Sequence, residues 1–168
     1  MSLVAFDLTS FFSVIDESYF VVIPVLAIWL YYKKDKNVFS FVPAFIILYV
    51  VSEVLKMLIA QPRPCAGLPG CESGYGMPSS HATTLTGPYL FLTGYKYLRW
   101  LYPVWLAFVL FGRVYLNQHT PAQVLAGIAV SLVLGYAIYR YRERINGIAM
   151  SVVSRIPVAS RLLARLNV

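Results

Sequence analysis

Gly76-Met77-Pro78-Ser79-Ser80-His81 and Arg113-Val114-Tyr115-Leu116-Asn117-Gln118-His119-Thr120-Pro121 decide how the chain is read. Each piece stands where a long apolar run meets a polar break, and each carries one of the chain's two histidines. Upstream, Lys56 to Pro64 adds a lysine and an arginine at the end of another apolar run. Two imidazoles with Lys56, Arg63 and Arg113 at such ends have the chemistry of a phosphate site. Cations hold the oxygens, and histidines transfer protons or attack phosphorus.

The surrounding composition says where such a site would lie. Of 168 residues, 59% are hydrophobic and 12% charged, against about 25% charged in an average soluble domain. Mean hydropathy is +0.67. A soluble fold of this length has too little interior for so many apolar side chains, so residues 1–168 read as one integral membrane domain. The net charge of +7 does not point to nucleic acid, because the cations cap apolar runs rather than line one polar face. No basic segment precedes the first apolar stretch, which holds Asp7 with Asp16 following, so no cleavable signal is expected.

The pattern predicts an all-α membrane bundle of five to six membrane helices with interfacial helices at the termini. Residues 2–15, apolar but short and containing Asp7, read as an interfacial helix. Spans follow at about 16–32, 39–58, 80–95, 101–116 and 121–139, the first of them barely long enough for roughly 30 Å of hydrocarbon. Between the second and third lies a Pro- and Gly-rich loop, Gln61 to Pro78, in which no helix can persist. The tail, 145–168, carries Arg155, Arg161 and Arg165 and reads as a basic amphipathic helix on the membrane surface. Alternation of the spans puts Lys33, Lys34, Lys36, Lys96, Arg99, Arg140, Arg142 and Arg144 on one side, which the positive-inside rule makes cytoplasmic. The candidate site then faces the extracytoplasmic side.

Each motif has a plain reading beside the functional one. Lys56 and Arg63 either snorkel to headgroups or converge on a phosphate, one as a point charge and the other as a planar fork. Pro62 and Pro64 bracket Arg63 and fix its backbone, while Glu53 stands one turn before Lys56, where an ion pair would hold that lysine. Ser79 or Ser80 suits an N-cap, yet the same free N–H groups bind anions, and His81 in the first turn is placed to donate a proton. Arg113, near the end of a span, is costly unless it faces a polar cavity. Thr120-Pro121-Ala122-Gln123 matches a capping box, in which Gln123 reaches back to Thr120. Alternatively, Gln123 accepts a hydrogen bond from His119 Nδ1 and leaves Nε2 free to attack.

Taken together, Lys56 to Arg63-Pro64, then Pro78-Ser79-Ser80-His81, then Arg113 to His119 and Gln123 resemble the three-part signature of the type 2 phosphatidic acid phosphatase superfamily. Within it, Arg63-Pro64-Cys65, Gly74-Tyr75-Gly76-Met77-Pro78-Ser79-Ser80-His81 and Arg113-Val114-Tyr115-Leu116 are similar to the dolichyl-diphosphate phosphatases. The motif match covers about 56–127. Two positions depart from the family pattern: Gly112 where serine is common, and Gln123 where aspartate is usual. The resemblance implies a metal-independent lipid phosphatase in which His119 attacks phosphorus and His81 protonates the departing oxygen. Lys56, Arg63, Ser79, Ser80 and Arg113 would hold the phosphate. The implied partners are the bilayer and a lipid phosphate, most simply a polyprenyl or dolichyl (di)phosphate, with phosphatidic acid or phosphatidylglycerol phosphate as the alternative. No cofactor is implied, since three fixed cations stand in for magnesium and the sequence shows no carboxylate cluster. A lipid-phosphate binder or transporter would need the cations but not both histidines. Cys65 and Cys71, on the outward side by this topology, are either a disulfide clamping the loop behind Arg63 or two unpaired small side chains. The sequence fixes no oligomeric state.

Overall fold

A computed structural model describes residues 7–155, and every regular element in it is helical. Helices α1 (Leu8–Glu17) and α2 (Tyr19–Tyr32) meet at Ser18, and α3 runs Val38–Ile59. After the loop come α4 (Ser80–Thr86), continued by a 3-10 turn over Gly87–Leu92, then α5 (Leu98–Tyr115), α6 (Pro121–Arg140) and α7 (Arg142–Ser154). The core is built from α2 (Ile23, Leu26, Leu30), α3 (Phe41, Ala44), Leu85 with Phe91 and Leu92, and α5 (Tyr102, Leu106, Val109). Around it the burial pattern of a soluble protein is inverted: Phe20, Val21, Ile46, Val50, Val104, Phe108, Leu132 and Val133 all face outward. Such a surface suits lipid rather than water, and the chain is membrane-embedded.

Among the described residues, three segments are long and apolar enough to cross a bilayer: Leu8–Tyr32, Val38–Ile59 and Pro121–Arg140. That differs from the predicted five to six spans in three places. The interfacial helix expected over 2–15 and the short span after it become one 25-residue apolar segment from Leu8. Asp16 does not end the apolar run, because its carboxylate is buried against Arg113. Residues 1–6, and the tail beyond 155, lie outside the described residues. Predicted span three is not a continuous helix but a seven-residue α-helix followed by a 3-10 turn. Its Thr83, Thr84 and Thr86 are buried within the bundle rather than turned to lipid. Its neighbour α5 carries Arg99 and Arg113 and is not among the three apolar segments.

Small residues on α6 set how closely α4 packs. A Cβ on Gly127 would lie 2.7 Å from both Ala82 Cβ and the Ser79 carbonyl, and one on Gly135 would lie 2.7 Å from Gly87 Cα. Ser131, between them, accepts the Gly87 N–H at 2.7 Å. These three positions recur every fourth residue and form a narrow strip along which the backbones touch, as small residues permit in membrane helices.

Polar contacts fix which ends share a side. Tyr95 donates to the Asp35 carboxylate, and Trp29 packs on Tyr95, joining the α2–α3 and α4–α5 connections. Ser40 Oγ donates to Asn146 Oδ1 at 2.5 Å and lies 3.1 Å from the Arg142 carbonyl, so α7 folds onto the start of α3. The basic ends therefore gather together, while Glu53 and Lys56 stand toward the far end of the 22-residue α3, roughly 22–27 Å from its start at about 1.5 Å per residue.

The strip on α6 gives a test. Gly135→Val drives side-chain carbons into the Gly87 backbone, and overpacking of that kind costs about 1–3 kcal/mol. A lower melting temperature in detergent is expected, with no loss for Gly147→Ala, where nothing lies within 4 Å of an added Cβ and alanine favours the helix.

Candidate active site

From the end away from the basic loops, a cavity of about 940 Å³ runs among α1, α2, α3, α4, α5 and the 60–79 loop. Lys56, Arg63, Ser80, His81, Arg113 and His119 all line it. Ser79 and Gln123 stand behind them, 0% and 1% exposed. All eight predicted site residues therefore belong to one neighbourhood, brought in by α3, the loop, α4, α5 and α6.

His119 gets there by a tight turn. Asn117 adopts a left-handed conformation (φ 57°), which asparagine tolerates. The N–H groups of Gln118 and His119 then both donate to the Arg113 carbonyl at 3.0 Å. His119 Nδ1 lies 2.9 Å from the Gly76 carbonyl and 3.2 Å from Gln123 Oε1. Two acceptors at one nitrogen require it to carry the proton. Nε2 is then the lone-pair nitrogen, and Arg63 Nη1 donates to it at 2.9 Å.

Gln123 performs both roles open in the sequence. Its Oε1 meets His119 Nδ1 and also accepts from Thr120 N at 3.2 Å, while its own N–H bonds Thr120 Oγ1 at 3.2 Å. Its Nε2 donates to the Pro62 carbonyl at 3.0 Å, tying the Arg63 loop to the same amide. Gly76 makes room for this, since a Cβ there would lie 2.6 Å from the Gln123 amide. The glycine at 112 has its own steric reason: a Cβ would come 3.2 Å from the Phe12 ring.

Neither serine caps α4 through its side chain: Ser79 occupies the N-cap without a side-chain bond, and Ser80 Oγ donates to Glu53 Oε1 at 2.7 Å. Lys56 pairs with the same Glu53 oxygen at 2.9 Å, the anticipated one-turn ion pair. His81 packs edge-on against Tyr19, with ring centroids 4.8 Å apart. Buried Ser79 Oγ, Arg63 Nε and Arg113 Nε have no hydrogen-bond partner among the described residues.

Sequence reasoning missed two acids. Asp16 meets Arg113 Nη1 at 2.5 Å and turns its other oxygen toward His81 Nε2, 3.8 Å away. Glu72 grips Arg113 with both oxygens at 2.6 and 2.7 Å and also reaches Arg63 Nη2 at 2.9 Å. With Glu53 they bring three carboxylates to the cations, where the sequence had shown no cluster; no group of three or more His, Cys, Asp or Glu among the described residues is arranged to hold a metal ion. An acid inside an apolar run was the available signal for Asp16. Glu72 gave none beyond its place next to Cys71, which is disulfide-bonded to Cys65.

The charges act on each other strongly. Burial opposes ionisation of Glu72, but hydrogen bonds and charge from Arg113, with Arg63 adding to them, outweigh it and hold its pKa at about 2. His119 is pulled the other way from protonation: burial first, then Arg113 and Arg63, bring its pKa down to about 3.

A helical, membrane-embedded chain thus brings two imidazoles and three cations to one cavity, the groups a phosphate ester would need. Residues 37–146 match the PAP2 superfamily, and the chain belongs to that family. It is 27% identical over 154 residues to dolichyldiphosphatase 1 of Rhinolophus ferrumequinum, covering 80% of this chain and 65% of the relative. It is 33% identical to lipid phosphate phosphatase gamma of Arabidopsis thaliana, over 62% of this chain and 53% of that one. Undecaprenyl-diphosphatase of Sulfolobus acidocaldarius is 34% identical, over 64% and 57%. The chain thus spans less than two thirds of each of these relatives. A PAP2-type phosphatidylglycerolphosphate phosphatase from Bacillus subtilis shares the fold, with a TM-score of 0.66 at 22% identity over 82% of this chain and 78% of that one.

His119 has a spectroscopic consequence. A histidine with a depressed pKa stays neutral above that pKa, so His119 keeps the Nδ1–H form from about pH 8 to about pH 5, where an ordinary histidine titrates. Imidazole-nitrogen NMR of the two histidines reads this directly. Titration of His119 with a midpoint of about 6.5 would contradict the assignment.

Proposed function

We propose that the chain hydrolyses the phosphate or diphosphate of a membrane lipid, with a polyprenyl carrier as first candidate, through a phosphohistidine on His119. The observation that carries this reading is the state of His119: Nδ1–H held by Gly76 and Gln123, with the Nε2 lone pair at the cavity beside Arg63. A binder would need the cations; a tautomerically fixed imidazole is what a nucleophile needs.

In the first step the His119 Nε2–phosphorus bond forms and the bond from phosphorus to the departing oxygen breaks, with His81 giving that oxygen its proton. Water then attacks the phosphohistidine, His81 takes a proton from it, and inorganic phosphate leaves with both imidazoles restored. Lys56, Arg63 and Arg113 stabilise the charge spread over the equatorial oxygens, which is most of what phosphoryl transfer asks of a protein. On the cavity-lining Arg63 and Arg113, the unpartnered Nε atoms are further donors.

The lipid tail has a course as well. From the charged end the cavity continues between α2 and α3, past Phe20, Ile23, Ile28, Val42 and Phe45. That lining is apolar and suits a hydrocarbon chain. Relatives named as polyprenyl diphosphatases support an isoprenoid as first choice. The basic loops at the opposite end support an extracytoplasmic site by the positive-inside rule, in a multi-pass protein of the cell membrane.

Phosphate release from a panel of lipids in metal-free detergent tests the reading. Polyprenyl diphosphate or monophosphate is expected to turn over fastest, ahead of phosphatidic acid and phosphatidylglycerol phosphate. His81→Ala should lower kcat by about 10²–10⁴-fold, and His119→Ala should abolish turnover with the fold retained. Gln123→Ala should weaken turnover less than either. Tight lipid binding without release of phosphate from any lipid would leave a binding protein instead.

A further inference from the structure

Three cations at the cavity meet three carboxylates: Lys56 is paired with Glu53, Arg113 with Asp16, and Arg63 and Arg113 together with Glu72. The site as it stands is close to electroneutral, which is a poor field for capturing an anion. The carboxylates differ in how they are held. Asp16 and Glu53 sit on helices, with side chains 10% and 41% exposed. Glu72 sits on a loop, with its side chain 44% exposed.

Glu72 is also where a phosphoryl group would bind. Its two oxygens span both guanidiniums, and two oxygens on a pair of forks is the geometry with which arginines grip phosphate. Arg63 holds Glu72 through Nη2 and the His119 lone pair through Nη1, so carboxylate and lone-pair nitrogen are neighbours across one guanidinium. The tether is short. Cys71, bonded to Cys65, precedes Glu72, whose N–H donates to Gln118 Oε1 at 3.1 Å, while Gln118 Nε2 donates to the Gly70 carbonyl at 3.0 Å. Such a residue can swing out, but it stays close enough to return.

We propose that Glu72 is a tethered anion that exchanges with the substrate's phosphate and sets the charge an incoming group must carry to enter. The inference rests on the phosphatase reading. A phosphodiester, the headgroup linkage of most bilayer lipids, carries one negative charge. Replacing Glu72 with it trades one charge for another and gains nothing. A terminal phosphate carries about −1.5 to −2 near neutrality and gains from the exchange. The same carboxylate, returning to Arg63 and Arg113, helps expel inorganic phosphate after hydrolysis. Glu72 is then a specificity-determining residue rather than a catalytic one.

The test is inhibition of the full chain in mixed micelles by phosphatidylglycerol, a singly charged phosphodiester, and by inorganic phosphate. In Glu72→Gln the inhibition constants for both are expected to fall at least about tenfold, a change of about 1.4 kcal/mol. The KM for the lipid phosphate should fall with them. Unchanged or weaker inhibition in a folded Glu72→Gln protein would overturn the proposal. Should that variant fail to fold, the Cys65→Ser/Cys71→Ser double variant keeps every charge but loosens the tether. A fall in both constants there supports the exchange, and no change overturns it. A wild-type protein that neither releases phosphate from a lipid nor responds to inorganic phosphate would defeat the phosphatase reading itself. An active wild type with an unaltered Glu72→Gln defeats the Glu72 inference alone.

Discussion

A guanidinium with no solvent exposure, in a bundle built for hydrocarbon, is the constraint around which this protein is arranged. Arg113 is 0% exposed, and a buried charge is tolerable only when paired and hydrogen-bonded. Its partners come from remote parts of the chain: Asp16 from α1 and Glu72 from the disulfide-closed loop. Satisfying one side chain thus draws the amino-terminal helix and the 60–79 loop onto α5. The turn after α5 then carries His119 back to the Arg113 carbonyl. The charge that would hold phosphate also assembles the walls of its own cavity.

A second constraint is steric. Gly127, Ser131 and Gly135 let α4 and its 3-10 continuation lie against the α6 backbone. Only at that distance can the Ser79 N–H bond the Gln123 carbonyl, at 3.0 Å, which welds the start of α4 to the first turn of α6. His81 and His119 come from those two junctions. Their meeting in one cavity follows from small residues one to three turns beyond Gln123 as much as from the imidazoles themselves. Helix-end chemistry and close packing contribute different things: one supplies the imidazoles and the other their separation.

Most of the site was legible in sequence because its residues sit at ends of apolar runs, where a cation or imidazole stands out. Lys56, Arg63, Ser80, His81, Arg113 and His119 were found that way. Gln123 was found with two competing roles, and the fold gives it both because one amide oxygen accepts two N–H groups. Glu72, Asp16 and the Gly76 carbonyl were not found. Their significance lies in pairings across 41, 97 and 43 residues of chain, and no local pattern records these. The architecture was less legible than the site. Hydropathy made residues 80–95 a span, but buried threonines and Gly87-Pro88 shape a broken helix enclosed by its neighbours. Asp16 similarly suggested an interruption at the first span, when its charge is absorbed by Arg113.

The account turns on His119 as the group that accepts the phosphoryl. Trapping with a lipid phosphate radiolabelled in its terminal phosphate, quenched in alkali, measures that most directly. Phosphohistidine survives alkali and is lost in acid. The account predicts label of this kind on the protein, on His119 by peptide mapping, accumulating when His81 is replaced and a good leaving group is supplied. No protein-bound label during active turnover, or label that persists in the His119→Ala protein, would contradict it.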